Sequence, residues 1–328
     1  MDECTDSGPK NEDVENPPCL IGGFRGLMGT QSENPSITGP SYWHPFRLED
    51  GSVSSVDMVR LKLSFAGEQG GIWLSDHAQA FQCDDLQQWS SRVRPGGWHE
   101  LWRFGFGESA VALGLGWMDA SCKVDMAKGF IEFNPNKVAQ DSRFWQLMEK
   151  VQLINSRADL LRYDLAYDVP RSRKSCRLSK DRRMYSSVIS GGITEYLGQR
   201  NVPGFVKVYD KAAELGIEGL DLTRIELTCS GEWSVEDVKE HWPIVHGWRS
   251  DGNTRDWVET LGLALAELAE DGHDVEQLVA RLGKRSRPKI REWMNASCVE
   301  LPEDAAASAI GEASGWRNVL ASDSRKAV

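Results

Sequence analysis

Between Val59 and Phe65 every second residue is apolar: Val59, Leu61, Leu63 and Phe65 alternate with Arg60, Lys62 and Ser64. A period of two predicts a strand with one face in the core and one in water. Leu101–Glu108 and Ala110–Trp117 repeat the pattern around a short turn and predict a hairpin. Gly129–Phe133 predicts a further strand, ended by the turn signal Asn134-Pro135-Asn136. Over residues 139–156 the period changes, and Phe144, Leu147, Val151 and Leu153 form the apolar stripe of a helix. A second strand-rich block spans Leu160–Cys229, with strands at Arg162–Asp168, Phe205–Lys211 and Thr223–Thr228. Beyond it, Trp257, Leu261, Leu265 and Leu268 return to helical spacing. After the break EDGHD, Asp274 and Gln277 resemble a capping box for a helix carrying Val275, Leu278, Val279 and Leu282.

The two strand blocks echo one another. VRLKLSF (59–65) corresponds to RYDLAYD (162–168), the hairpin FGFGESAVALGLGW to EYLGQRNVPGFVKVYDK, and GFIEFNPNK to TRIELTCS. Each block reads strand, hairpin, strand, helix. The expected fold is α+β: two tandem antiparallel β-sheet units with flanking helices and a helical C-terminal portion. Residues 1–40, rich in Pro, Gly, Asn, Ser and acids, are expected to be a disordered leader. The first unit is drawn at 41–157, the second at 158–250, and the helical region at 251–328, where it is expected to bind DNA or a partner.

Composition narrows the classes. Of 328 residues, 40% are hydrophobic and 27% charged, which suits a globular core. No run approaches the ~20 consecutive apolar residues that cross a bilayer, so no membrane partner is expected. The N-terminus lacks the layout of a secretory signal. Seven cysteines without a C-x-x-C pair and six histidines without HxH or HExxH argue against disulfide frameworks and common zinc motifs. The expected setting is a reducing cytoplasm. A net charge of −11 disfavours indiscriminate coating of nucleic acid. Bases are nevertheless concentrated in RSRKSCRLSKDRR (171–183) and RLGKRSRPKIR (281–291), so local grip on a polyanion is expected there. The residues expected to hold DNA are Arg171, Arg173, Lys174, Arg177, Lys207, Arg224, Lys284, Arg285 and Arg287. Most of the thirteen tryptophans, Trp98, Trp102 and Trp117 among them, are expected to be core or hairpin aromatics.

The chemistry centres on RYDLAYD. Strand alternation puts Arg162, Asp164, Ala166 and Asp168 on one face and Tyr163, Leu165 and Tyr167 on the other, in the core. Two carboxylates so close repel unless a cation joins them. Glu226 and Arg224 lie outward on TRIEL; Lys207, Tyr209 and Lys211 lie outward on FVKVYDK. If these strands are neighbours, Asp164, Asp168 and Glu226 offer hard oxygen ligands suited to Mg²⁺ or Mn²⁺. The surrounding lysines and arginines suit a phosphoryl group, and a nearby tyrosine suits nucleophilic attack on it.

The ordered set RYDLAYD, EYLGQRNVPGFVKVYDK and TRIEL, with IEFNPNK in the first block, resembles the Rep_trans-type replication initiation factors of rolling-circle plasmids and filamentous phages. The resemblance covers residues 55–230. It implies a metal-dependent endonuclease that nicks one strand of origin DNA, keeps the 5′ phosphate on a tyrosine, and later rejoins strands. It implies Asp164, Asp168 and Glu226 at the metal, Tyr196 as nucleophile with Tyr209 as runner-up, Arg200 as a phosphate clamp, and Lys211 within the catalytic set. The chain departs from the family's usual G-S-R-x-S run, having Gln199 before Arg200 and Asn201-Val202 after it. Expected partners are double- and single-stranded origin DNA, a host helicase and polymerase, and a second copy in a homodimer. The first unit, without paired acids, is expected to bind or shape DNA while the second cuts; Asp57, Glu108 and Glu132 would then be dispensable for cutting. Two rivals share the residues: a relaxase of a mobile element, with the same chemistry, and a noncatalytic DNA-binding regulator.

Overall fold

A computed structural model describes residues 45–89, 96–189, 192–247, 257–270, 273–296 and 298–320. The leader expected at 1–40 lies outside the described residues. The chain forms β1 (Phe46–Arg47), β2 (Val53–Phe65), α1 (Glu68–Ala78), β3 (Asp85–Trp89), β4 (Trp98–Phe106), β5 (Ser109–Met118), β6 (Val124–Phe133), α2 (Pro135–Val138) and α3 (Ser142–Ile154). Then come β7 (Asn155–Val169), β8 (Cys176–Leu178), β9 (Tyr185–Ile189), β10 (Ile193–Leu197), β11 (Val206–Asp210), α4 (Lys211–Leu215), β12 (Thr223–Ser230), α5 (Val235–His241) and β13 (Val245–Gly247). The last helices are α6 (Trp257–Glu270), α7 (Val275–Arg281), α8 (Ser286–Ala296) and α9 (Glu303–Leu320). The fold is α+β.

One antiparallel sheet of eleven strands runs β3-β4-β5-β6-β2-β7-β12-β11-β10-β9, with β1 beside β2; β8 and β13 make a second, two-stranded sheet. The order has a centre. On one side, β2 is followed by the edge strand, and β4, β5 and β6 fold back towards it. On the other, β7 is followed by its own edge strand, and β10, β11 and β12 return in the same sequence. The two blocks thus share a topology, but they are halves of one sheet. Asn155, the residue after α3, already begins β7, and β7 pairs with β2 from Val53↔Asp168 to Phe65↔Asn155.

Alternation decides the two faces. Val59, Leu61 and Leu63 of β2, Tyr163 and Leu165 of β7, and Ile225 and Leu227 of β12 are buried together. Against them pack Leu74 of α1, Phe144, Leu147 and Val151 of α3, Val238 of α5 and the small residues Ala305, Ala306, Ala309 and Ala313 of α9. Trp316 of α9 meets Phe133 edge-on at 5.1 Å and stacks on Trp145 at 5.7 Å. Small residues let α9 approach the strands closely: Ser54 Oγ donates to Ala305 O, and Asn155 Nδ2 donates to Leu320 O at 2.7 Å, capping the helix end.

The C-terminal helices therefore divide. α9 belongs to the main core, whereas α6, α7 and α8 bury Leu265, Val279, Ile290 and Met294 in a small cluster of their own. Asp274 caps α7 by accepting from Gln277 N at 3.2 Å, one half of the expected box. Tyr163 and Tyr167 are core residues as expected, and so is Trp102; Trp98 and Trp117 meet edge-on across the β4–β5 hairpin.

Candidate active site

The polar face of the second half is built by register. Tyr196 of β10 lies opposite Lys207 of β11, Lys207 opposite Glu226 of β12, Glu226 opposite Ala166 of β7, and Ala166 opposite Ser55 of β2. One row beside it, Tyr209 faces Arg224 and Arg224 faces Asp168; on the other side Thr228 faces Asp164. Strands lie ~4.8 Å apart, so a tyrosine, a lysine and a glutamate stand in line within side-chain reach.

The acids of this face behave differently. Asp168 is held by Arg224 through two hydrogen bonds, Nε to Oδ1 and Nη2 to Oδ2, both 2.6 Å. That bidentate pair uses both carboxylate oxygens, so Asp168 is a brace for Arg224. Among the described residues, Asp164 accepts from Thr228 Oγ1 alone, at 2.7 Å. Burial pushes its carboxyl up to about 6, with the Thr228 hydrogen bond working against the rise. Glu226 is raised too, first by burial and then by the charge of Asp57. Its Oε1 accepts from Tyr209 at 2.7 Å, and Lys207 Nζ stands 3.7 Å from Oε2.

Asp57 brings the first half into the site. Between Val56 and Met58 the pairing of β2 with β7 slips by one residue, making Asp57 the extra residue of a β-bulge. Without the slip, the phase of Val59, Leu61 and Leu63 would turn Asp57 inward. With it, Asp57 reaches Arg224 Nη1 at 3.1 Å, and its charge bears on both Asp164 and Glu226. The Asn-Pro-Asn turn holds the bulge: Asn134 Nδ2 donates to Asp57 Oδ1 at 3.0 Å, and Asn136 Nδ2 to Val56 O at 2.8 Å. Asp57 therefore bears on Asp164 and on Glu226, Glu132 bears on Asp164 as well, and Asp168 is engaged by Arg224. Among the described residues no three ligating side chains converge closely enough to enclose an ion. Mg²⁺ is commonly held by one or two carboxylates plus phosphate and water, and Asp164 with Glu226 are the pair whose donor chemistry fits.

The two candidate phenols also differ. Tyr209 donates to Glu226, and Lys207 Nζ lies 3.7 Å above its ring. Burial first, then the charge of Glu226, drives its pKa well above the ordinary phenol range. Tyr196 is half-buried, stacks on Phe205 at 5.9 Å, and its hydroxyl makes no hydrogen bond among the described residues. It leads into a turn that Gly198 makes in the left-handed region at φ +87°. Arg200 is exposed in that turn. Lys211 is placed differently from expectation: β11 stops at Asp210, which caps α4 by accepting from Ala213 N. Lys211 is thus the first residue of α4, buried, with Nζ 2.9 Å from Glu214.

Several expected DNA contacts are internal. Arg173 is buried and pairs with Glu195 at 2.6 Å, and Arg177 Nε lies 3.5 Å from the same carboxylate. Glu195 faces Val208, so this network sits on the side of the sheet away from Glu226. Arg171 donates to Gly247 O at 2.9 Å. Burial without aqueous partners forces such guanidiniums to find protein acceptors, and Arg171, Arg173 and Arg177 find theirs inside the fold. Lys174 is exposed within the same turn. Arg224 is enclosed between Asp57 and Asp168, and Lys207 lies over Tyr209. Lys284 and Arg285 are exposed between α7 and α8, while Arg287 closes the end of α7 by donating to Ala280 O and Leu282 O.

No protein-family model and no curated protein matches the chain. Among solved structures it is similar to a rolling circle replication initiator protein from Geobacillus stearothermophilus, at 15% identity and a TM-score of 0.33, covering 63% of this chain and 90% of that one. That likeness is too slight to carry any part of the functional argument. No helix among the described residues is long and apolar enough to cross a membrane.

Proposed function

We propose that the chain initiates rolling-circle replication by nicking one strand of origin DNA through a covalent tyrosine intermediate. What supports the reading is the alignment of Tyr196, Lys207 and Glu226 in one row across three strands, beside Asp164. In this reading the Tyr196 oxygen attacks the scissile phosphorus, the bond to the 3′ oxygen breaks, and the 5′ phosphate stays on the tyrosine. The phenolic proton passes to solvent, and Asp164, at about 6, is ionised at neutral pH and so able to serve as an oxygen ligand. Lys207 offsets charge developing on the phosphoryl oxygens, and Arg200 is free to turn onto the phosphate. The reverse reaction, attack by a 3′ hydroxyl on the phosphotyrosine, rejoins strands. Tyr209 is the weaker nucleophile because its buried phenol already donates to a carboxylate. A Mg²⁺ or Mn²⁺ ion bound at Asp164 and Glu226 would supply Lewis acidity toward the phosphoryl oxygens.

Origin DNA is then the substrate, and a helicase, a polymerase and a second copy of the chain are the partners that replication would require. The test is incubation with supercoiled DNA carrying the replicon that encodes the chain, with Mg²⁺ or Mn²⁺, followed by mass mapping of DNA-linked peptides. A phosphotyrosyl adduct on the peptide containing Tyr196 is expected. Nicking with no adduct would replace this reading with a water-using nuclease. Binding without any nicking would leave a DNA-binding regulator.

A further inference from the structure

A second row crosses the middle of the same polar face. Arg103 of β4 lies opposite Ala112 of β5, Ala112 opposite Glu132 of β6, Glu132 opposite Arg60 of β2, and Arg60 opposite Arg162 of β7. Arg60 and Arg162 are thus adjacent across the seam where the halves of the sheet meet. They share one carboxylate oxygen: Arg162 Nη2 is 2.9 Å and Arg60 Nη1 3.6 Å from Glu132 Oε2. Two guanidiniums thus share one contacting carboxylate in a partly buried place, with the Asp164 carboxylate within electrostatic range of Arg162. Burial lowers the Arg60 pKa, Glu132 offsets this in part, and Arg162 adds to it.

Two further features suit an anion. The Nε groups of Arg60 and Arg162 are both buried, and neither has an acceptor among the described residues. A buried donor without an acceptor costs ~1–3 kcal/mol; the side chains keep 27% and 14% exposure, and through those exposed edges an oxyanion reaches the pair. Both side chains are also held in place. The Arg60 guanidinium lies 4.1 Å above the Phe130 ring, and Arg162 Nη1 donates to Asn201 O at 2.9 Å. Fixed, planar, paired guanidiniums are suited to tetrahedral phosphate oxygens.

We propose that Arg60 and Arg162 jointly hold one backbone phosphate of the strand being cut, beside the scissile one. The assignment rests on the nicking reading above and adds a binding position to it. Arg162 precedes Asp164 by two residues on the same face, about 7 Å along the strand, the order of separation of neighbouring phosphates on one nucleic-acid strand. Through Asn201 it also fixes the turn that bears Arg200 and follows Tyr196. The strand would therefore run from the Tyr196 row across the seam towards the first half of the sheet.

The test is fluorescence anisotropy with a fluorescein-labelled single-stranded oligonucleotide of mixed sequence, titrated with the full chain over a range of salt. The double variant R60Q/R162Q should bind about tenfold more weakly, equivalent to ~1.4 kcal/mol. Its slope of log affinity against log salt should be shallower by about 0.7, the loss of one single-strand phosphate contact. E132Q, which frees the pair from its carboxylate, should bind several times more tightly. Opposite signs cannot come from misfolding, so E132Q keeps the idea testable even if the double variant is unstable. Unchanged affinity in both variants, or weaker binding by E132Q, would overturn the phosphate anchor and leave nicking untouched. Inorganic phosphate competing as well as the oligonucleotide, phosphate for phosphate, would reassign the pair to a free anion and overturn it too. If the unaltered chain binds no oligonucleotide at all, both this inference and the nicking reading fall.

Discussion

The two halves of the sheet share a strand order and differ in what that order displays. In the second half the central row of the polar face reads Tyr196, Lys207, Glu226, Ala166. The comparable row of the first half reads Leu101, Gly114, Phe130, Lys62. There the aromatic ring of Phe130 lies over Gly114, so closely that a side chain at Gly114 would meet it. One half has filled the row with a tyrosine, a lysine and a glutamate, the groups the proposed nicking would use. The other has filled it with Leu101, Gly114 and Phe130, which pack, and ends on the exposed Lys62. The backbone scaffold is thus indifferent to function, and the chemistry resides in a few side chains at fixed register.

The largest expected effect separates the halves through the nucleophile. Tyr196→Phe should abolish nicking and adduct formation, a loss on the order of a thousandfold or more, measured on supercoiled substrate. Tyr209→Phe should retain most activity, since it removes a hydroxyl that serves as a hydrogen-bond donor to Glu226. The reverse pattern would exchange the roles of the two tyrosines.

A smaller effect tests whether the first half is a bystander. Asp57 sits on the β2 bulge, touches Arg224, and bears electrostatically on Asp164 and Glu226. Asp57→Asn should slow nicking by about a hundredfold through the loss of charge placement. Glu108→Ala, in the exposed turn after β4, should change nothing. Equal activity in both variants would restore the simple division in which one half cuts and the other only binds.

Asp164 joins activity to stability with opposite signs. An ordinary aspartate titrates near 3.9, and burial holds Asp164 at about 6 in the folded chain. Between those values the folded state keeps a proton that the unfolded state has released. Its contribution is therefore full below about pH 4, is lost as pH rises to about 6, and totals about 3 kcal/mol. Asp164→Asn should remove that loss, raising the melting temperature at neutral pH while lowering nicking. In the unaltered chain nicking should rise as pH passes about 6, as Asp164 ionises. Glu312 of α9, pushed up to about 8 by burial, adds a loss that also begins near pH 4 but continues to about 8. The decline above about pH 6 therefore belongs to Glu312, and only the part below it is shared with Asp164.

How much of this was legible in the sequence depends on the distance over which each signal acts. Val59–Phe65 and Arg162–Asp168 announced their strands because alternation is a local record of a two-faced environment. The correspondence of the two blocks announced the shared topology. Fusion into one sheet was not legible, because pairing of β2 with β7 joins residues a hundred positions apart. Asp57 was passed over for the same reason, although an acid at an inward-phase position next to Val56 was a usable sign of a bulge. Asp168 was assigned to a metal because strand phase shows which residues share a face but not which partner each one takes; Arg224 was the nearer partner. Lys211 was carried along β11 by alternation when Asp210 had already capped a helix. The bases of 171–183 show that a dense basic run can serve buried carboxylates such as Glu195 as readily as a polyanion.

The smallest expected effect returns to the paired rows. Gly114 and Lys207 occupy comparable places, the third strand out from the centre on each side. A Cβ on Gly114 would stand 2.1 Å from Phe130 Cε1, within a ring that cannot swing away without disturbing the Arg60 guanidinium above it. Gly114→Ala should therefore destabilise the chain by ~1–3 kcal/mol. Lys207 is one-third exposed, and its pairing with Glu226 spans 3.7 Å. Lys207→Ala should shift stability by no more than ~0.5 kcal/mol while lowering nicking. Thermal denaturation of the two variants side by side reads the contrast directly. If Lys207→Ala proves the more destabilising, the second-half row is structural in the same sense as the first, and its side chains lose their claim to be there for chemistry.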